Sequence, residues 1–97
     1  MFPEVFLEKL NSARTLADRG QTILESNNDN ARKAEDALKI SKLLGKKLHE
    51  VEIDYMFTSN APIAFTPAIS KRYIEKLSLY FDEAIKMIDA KEAYLNE

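Results

Sequence analysis

The chain has little of several residue types: no cysteine, one histidine, two glycines and three prolines among its 97 residues. Without cysteine there is no disulfide framework, thiolate metal site or cysteine nucleophile. With so few glycines there is no glycine-rich phosphate loop. The sequence also lacks an apolar run of the roughly 18 residues needed to cross a bilayer. It shows neither the basic region nor the apolar region of a signal peptide. We therefore expect a cytoplasmic protein without membrane contact.

The charged residues nearly cancel, with 14 Lys and Arg against 16 Asp and Glu. This balance argues against a polybasic nucleic-acid tail and against an acidic disordered chain. At 97 residues and 45% apolar content, the composition predicts one helical domain over 1–97. A chain of this length buries only a thin core, so association with a partner or with a second copy stays an open alternative.

Long segments rich in Leu, Ala, Glu and Lys predict three helices, over about 3–25, 31–57 and 67–95. A polar turn over 26–30 separates the first two helices, and Asp29 or Asn30 is the expected N-cap of the second. Proline suits the first helical position, which places helix starts at Pro3 and at Pro67, the latter capped by Thr66. No alternating run rich in Val, Ile and Thr is evident, so we predict no β-sheet.

Apolar and small residues recur in each predicted helix at alternating steps of three and four. This period of 3.5 is typical of coiled-coil packing. It predicts an all-α fold, an elongated antiparallel three-helix bundle with coiled-coil-like packing. A second apolar flank on the middle helix leaves open a dimer that completes a larger bundle. The three seams are Phe6, Leu10, Ala13, Ala17, Gly20 and Leu24; Ala34, Ala37, Ser41, Leu44, Leu48, Val51 and Tyr55; and Ile74, Leu77, Phe81, Ala84, Ile88, Lys91 and Leu95.

The corner over 55–65 is unusually apolar for a connection between helices, because surface loops are normally polar. In one interpretation the corner folds back and plugs the end of the bundle, burying Ile63 and Phe65. In the other it is an exposed patch that docks a protein partner, since aromatic residues and Met are enriched at interface cores. The candidate partner-binding residues are Tyr55, Met56, Phe57, Ile63 and Phe65.

Residues 31–50 carry six basic and three acidic groups, and the second helix therefore has a basic face. Such a stripe of cations can follow the phosphates of a nucleic acid. The face has no aromatic platform on which bases would stack, however. The alternative is a solvated face that pairs with acidic neighbours such as Glu35. The possible basic contact residues are Arg32, Lys39, Lys42 and Lys46.

The single histidine, His49, is followed by two acidic residues, Glu50 and Glu52, which would repel a phosphoryl group. His49 and Glu52 lie one helical turn apart, but two ligands are too few for a metal site. No serine or threonine stands in a motif that makes a catalytic triad. We expect no catalytic residue, metal or cofactor. The sequence predicts a non-enzymatic protein–protein interaction module, an adaptor, assembly factor or regulator. A nucleic-acid-associated regulator is the alternative.

Overall fold

The computed structural model describes residues 4–96 and contains three helices, α1 (Glu4–Glu25), α2 (Asn30–Glu50) and α3 (Pro67–Leu95). Every helix packs against the other two, and the molecule measures 49 × 24 × 17 Å. The predicted all-α, elongated three-helix bundle is confirmed. The start predicted at Pro3 lies outside the described residues.

Most of the core comes from the predicted seams, and its other buried apolar residues are Leu38, Ile40, Phe57 and Tyr80. Small residues line the side of α1 that faces the other helices, which allows the larger side chains of α2 and α3 to approach closely. The α1 seam is buried at Leu10, Ala13, Ala17, Gly20 and Leu24, the α2 seam at Ala34, Ala37, Ser41, Leu44 and Leu48, and the α3 seam at Leu77, Phe81, Ala84 and Ile88. The heptad spacing therefore identified the buried face of each helix.

The N-caps also lie where the sequence predicts them. The Asp29 carboxylate accepts a hydrogen bond from the Arg32 backbone N–H at 2.9 Å. The Thr66 hydroxyl accepts one from the Ile69 N–H at 3.3 Å, with Pro67 at the first position of α3. Each cap pairs a backbone donor that the helix itself leaves free.

The predicted end of the second helix at Phe57 is wrong, because α2 ends seven residues earlier, at Glu50. Glu52 has a φ of 61°, in the left-handed region. The N–H groups of Glu52 and Ile53 donate to the carbonyls of His49 and Leu48, at 3.1 and 2.8 Å. These two bonds form a Schellman motif, which reverses the chain and prevents α2 from continuing.

The contacts of α1 show that it runs antiparallel to both other helices. Near its start, Lys9 pairs with Glu50 at the end of α2 at 3.5 Å. Arg14 pairs with Glu92 near the end of α3 at 3.1 Å. Towards the end of α1, Gln21 donates to the Ser78 carbonyl, about four turns closer to the start of α3 than Glu92. The antiparallel packing predicted for consecutive helices thus holds for α1 and α2.

In contrast, α2 and α3 run in the same direction, so the antiparallel packing predicted from the sequence does not hold for this consecutive pair. Ala31, at the start of α2, and Ser70, at the start of α3, line one small surface cavity. At the opposite end, Glu52 lies 3.9 Å from Lys91. Two consecutive helices can be parallel only if their connection returns along the length of the bundle. Here that connection is residues 53–65, which we call the strap.

The strap runs along the groove between α2 and α3 without regular secondary structure. Met56 lies over Gly45 of α2, and the next contacts of the strap with α2 are closer to the start of that helix. The Lys42 ammonium donates to the Phe57 carbonyl, and the end of the strap lies beside Ala31. The strap therefore runs antiparallel to α2 and delivers the chain to the first residue of α3.

Candidate protein-binding surface

An aromatic cluster fixes the middle of the strap to α3. The ring of Tyr55 stacks on Tyr80 with centroids 4.8 Å apart. The ring centroid of Phe57 lies 5.7 Å from that of Tyr80 in an edge-on arrangement and 6.1 Å from that of Tyr73 in a tilted one. Phe65 meets Tyr73 edge-on at 5.4 Å. Such arrangements favour aromatic pairs beyond the area that they bury, so five rings act together in the groove.

Side chains of the two helices also hold the backbone of the strap. The Tyr80 hydroxyl donates to the Tyr55 carbonyl at 3.0 Å. The Lys42 ammonium donates to the carbonyls of Phe57 and Ser59 at 3.2 and 3.3 Å. Because the strap is part of no sheet or helix, its backbone carbonyls need other hydrogen-bond donors, and these side chains supply them. Tyr73 makes a further bond of this kind, to the Asn60 carbonyl.

The position of Tyr80 in this cluster changes its ionisation. Burial raises the pKa of the Tyr80 hydroxyl far above its ordinary value, and the neighbouring Tyr55 adds to this shift. Burial, followed by the Glu83 carboxylate, also raises the pKa of Tyr55. The neutral form of each tyrosine is favoured, because a charged tyrosinate in the groove would lose its hydration.

We expect the bundle to lose stability steeply above pH 10, the ordinary pKa of tyrosine. Above that pH, unfolded Tyr80 releases its proton while folded Tyr80 keeps it, so rising pH favours the unfolded state. Ionisation of Tyr80 lowers the free energy of unfolding by up to about 1.4 kcal/mol per pH unit. At a pH below the pKa of Tyr80 in the unfolded chain, Tyr80 has no such effect.

Urea unfolding over about pH 9 to 11 measures this slope. In Tyr80→Phe the loss of the hydrogen bond lowers stability at neutral pH by about 1 kcal/mol. The alkaline slope of this variant should be shallower than that of the wild type. Equal slopes in the two proteins would show that Tyr80 does not retain its proton in the folded state.

The structure divides the five candidate partner-binding residues into two groups. Phe57 is buried, with 8% of its surface exposed, and Tyr55 and Phe65 are half-buried in the aromatic cluster. Met56 is 48% exposed and Ile63 is fully exposed. The first three residues therefore have a structural role in holding the strap. Only Met56 and Ile63 present large apolar side chains to a partner.

Each exposed residue borders a surface groove. Ile63 lies on a groove of about 450 Å³, which we call the Ile63 groove. Its floor is largely apolar, and the ion pair of Glu35 and Lys39, at 3.7 Å, lies at its rim. Its other lining residues are Ala31, Leu38, Ala61, Pro62, Ala64 and Phe65. Met56 borders a second groove of about 300 Å³ together with Lys76 and Leu79.

Sequence reasoning missed Leu79 and the part played by Tyr80. Leu79 is 66% exposed beside the strap, and it lies outside the α3 seam. Tyr80 is buried against Tyr55 and Phe57, although it lies off the α3 seam. The available signal was alternation, because Val51, Ile53, Tyr55 and Phe57 are apolar at every second position.

Most of the predicted basic face of α2 is engaged within the chain. Arg32 pairs with Asp36 at 3.5 Å, and Lys39 pairs with Glu35. Lys42 is directed to the carbonyls of the strap, whereas Lys46 is exposed. No contact here favours nucleic-acid binding, which stays a prediction from the sequence.

His49 lies on the surface, where its Nδ1 is 3.1 Å from the Asp54 carboxylate. Both side chains are more than three-quarters exposed, so water screens this pair strongly. Within residues 4–96, no three His, Asp or Glu side chains lie close enough together to hold a metal ion. Asp54 is therefore the polar partner that the structure gives His49.

No family model matches this chain, and no curated protein or solved structure is significantly similar to it. Among the described residues, none of the three helices combines the length and hydropathy required to span a membrane.

Proposed function

We propose that this chain is a non-enzymatic protein-binding module whose contact surface is the Ile63 groove. The observation that carries the proposal is the complete exposure of Ile63, a large apolar side chain on a connection between helices. Exposed apolar side chains beside an apolar groove are typical of protein interaction sites. Phe65 and Leu38 form part of the groove floor and are held by the packing of the bundle.

Binding would combine apolar burial with charge at the rim. A partner side chain that enters the groove would cover Ile63 and remove its surface from water. The Glu35 and Lys39 side chains offer one charge of each sign at the rim, and such a pair favours one orientation of a polar partner over the reverse. The groove is preformed, so little chain ordering opposes binding.

The substitution Ile63→Asp tests this proposal. Because Ile63 is fully exposed, the change should alter the free energy of unfolding by no more than about 0.5 kcal/mol. We expect it to weaken partner binding at least about 10-fold, because a charge replaces the central apolar contact. The measurement is affinity capture from the native host with wild-type and variant baits, quantified by mass spectrometry.

Leu43→Asp is the matched control. Leu43 is an exposed apolar residue of α2 that does not line the Ile63 groove. The proposal is supported if one captured protein binds the wild type and Leu43→Asp but not Ile63→Asp. That captured protein, once purified, must show the same preference among the three baits. Equal capture by all three baits would contradict it.

A further inference from the structure

Most of the strap lies in the longest uncharged stretch of the chain. Residues 55–70 contain no Asp, Glu, Lys or Arg, whereas 31% of the whole chain is charged. Asp54 is the only charged residue of the strap itself. Extended segments at protein surfaces are usually protected from one another by charged residues or proline. Over 55–61 the strap has neither.

Burial alternates along the first half of the strap, as in a β-strand that has one buried face. Tyr55 and Phe57 are turned into the groove, while Asp54, Met56 and Thr58 are exposed. The strap is nevertheless a single extended segment, because the described part of the chain contains no β-strand with which it could pair.

Over residues 54–59 the backbone of the strap has one occupied edge and one free edge, and the next bonded carbonyl is that of Asn60, which accepts from Tyr73. The carbonyls of Tyr55, Phe57 and Ser59 accept hydrogen bonds from α2 and α3. In an extended chain, the N–H and carbonyl groups of alternate residues point to opposite sides. The groups of residues 54, 56 and 58 therefore point to the other side. Among residues 4–96, no acceptor is bonded to the backbone N–H groups of 54–61.

We propose that two copies of this chain associate by antiparallel pairing of residues 54–58 of their straps. Pairing about Met56 places Asp54 of each copy opposite Thr58 of the other, so no two like charges meet. The free N–H and carbonyl groups of three residues in each strap then pair across the interface. The exposed side chain of Leu79 lies beside Met56 and is covered in the same contact.

This edge is a better contact surface for a second copy than the charged helix faces are. The helices present charges of both signs to solvent, which gives no single complementary match to an identical surface. The strap edge is nearly neutral and is complementary to itself when it pairs about Met56. The inference does not depend on the partner proposed for the Ile63 groove, because Ile63 lies outside the paired residues.

The test is the molar mass of the wild-type protein in solution across a wide range of concentrations, by light scattering. We expect the mass to rise from the monomer value of 11.1 kDa towards twice that value. Thr58 is exposed, so Thr58→Asp and Thr58→Lys should both fold. Asp opposes Asp54 of the other copy and Lys attracts it, so the dimer dissociation constants of the two variants should differ by about 10-fold, with Lys the tighter.

A second pair of variants tests the backbone directly. Thr58→Pro removes an N–H from the free edge and should weaken dimerisation by about 10-fold or more. Ser59→Pro removes an N–H from the opposite edge and should leave dimerisation unchanged. Circular dichroism checks that each variant is helical. A wild type that stays monomeric at every concentration overturns the proposal. A dimer whose affinity is the same in all Thr58 variants also overturns it.

Discussion

Replacing Phe57 with Ala should lower the free energy of unfolding by about 3 kcal/mol, because the ring is buried and the space it leaves cannot fully collapse. Phe57 contacts Tyr73 and Tyr80, so its loss also removes two aromatic pairs that fix the strap to α3. A domain of this size typically has only about 5–10 kcal/mol of stability in total. The change is therefore measurable by urea unfolding at neutral pH.

Ile63→Ala is the control for this prediction. It removes an apolar side chain of similar size from the same strap, but Ile63 is fully exposed, so stability should change by less than about 0.5 kcal/mol. A large loss with Phe57→Ala and none with Ile63→Ala would establish that Phe57 is a core residue. Similar small losses in both would mean that the strap does not occupy the groove in solution.

Replacing Gly20 with Ala should destabilise the bundle by about 2–3 kcal/mol, although alanine is the better helix former. A Cβ at this position would overlap three atoms of the Phe81 ring. Phe81 has no exposed surface, so the ring has no space into which it can move. The helix–helix separation would have to increase instead, at the cost of the surrounding packing.

Gly45→Ala is a matched comparison within the same fold. A Cβ at Gly45 would overlap the end of the Met56 side chain, which is flexible and half-exposed and can move aside. The gain in helix propensity, up to about 1 kcal/mol, then dominates. We expect Gly45→Ala to be neutral or stabilising in thermal unfolding. Equal destabilisation by both substitutions would contradict the assigned environments of the two glycines.

Helix type, helix caps and the buried seams could be predicted from the sequence because each depends on local spacing. The sequence of α3 shows this well: Thr66 and Pro67 mark its start, and Leu77, Phe81, Ala84 and Ile88 mark its buried face. A residue one turn from its seam neighbour lies on the same side of a helix whatever the rest of the chain does. These features therefore do not depend on the topology.

The end of α2 could not be predicted from the same spacing, because Leu48, Val51 and Tyr55 fit a helical seam while Val51, Ile53 and Tyr55 also fit an extended segment. Periodicity alone does not resolve short apolar runs of this kind. The Schellman motif ends α2 at this point, and it has Glu52 at the position where glycine is the usual residue. No glycine therefore marks the end of α2 in the sequence.

The exposure of the candidate site also lay beyond the sequence. Met56 and Phe57 are adjacent, similar in hydropathy and equally suited to an interface, yet one is half-exposed and the other buried. Their difference arises from the direction of the strap, which places Phe57 between Tyr73 and Tyr80. That direction depends on contacts between residues distant in the sequence, which one sequence does not reveal.

The parallel arrangement of α2 and α3, enforced by the strap, is most directly tested by distances between spin labels. The chain has no cysteine, so paired cysteines at exposed positions 32 and 71, or 32 and 90, can be labelled cleanly. Parallel helices place Arg32 level with Lys71 and separate Arg32 from Ala90 by about 28 Å along the bundle. A short distance for 32 and 71 with a longer one for 32 and 90 is the expected result. The reverse order would show that α3 runs antiparallel to α2 and would contradict the account of the strap.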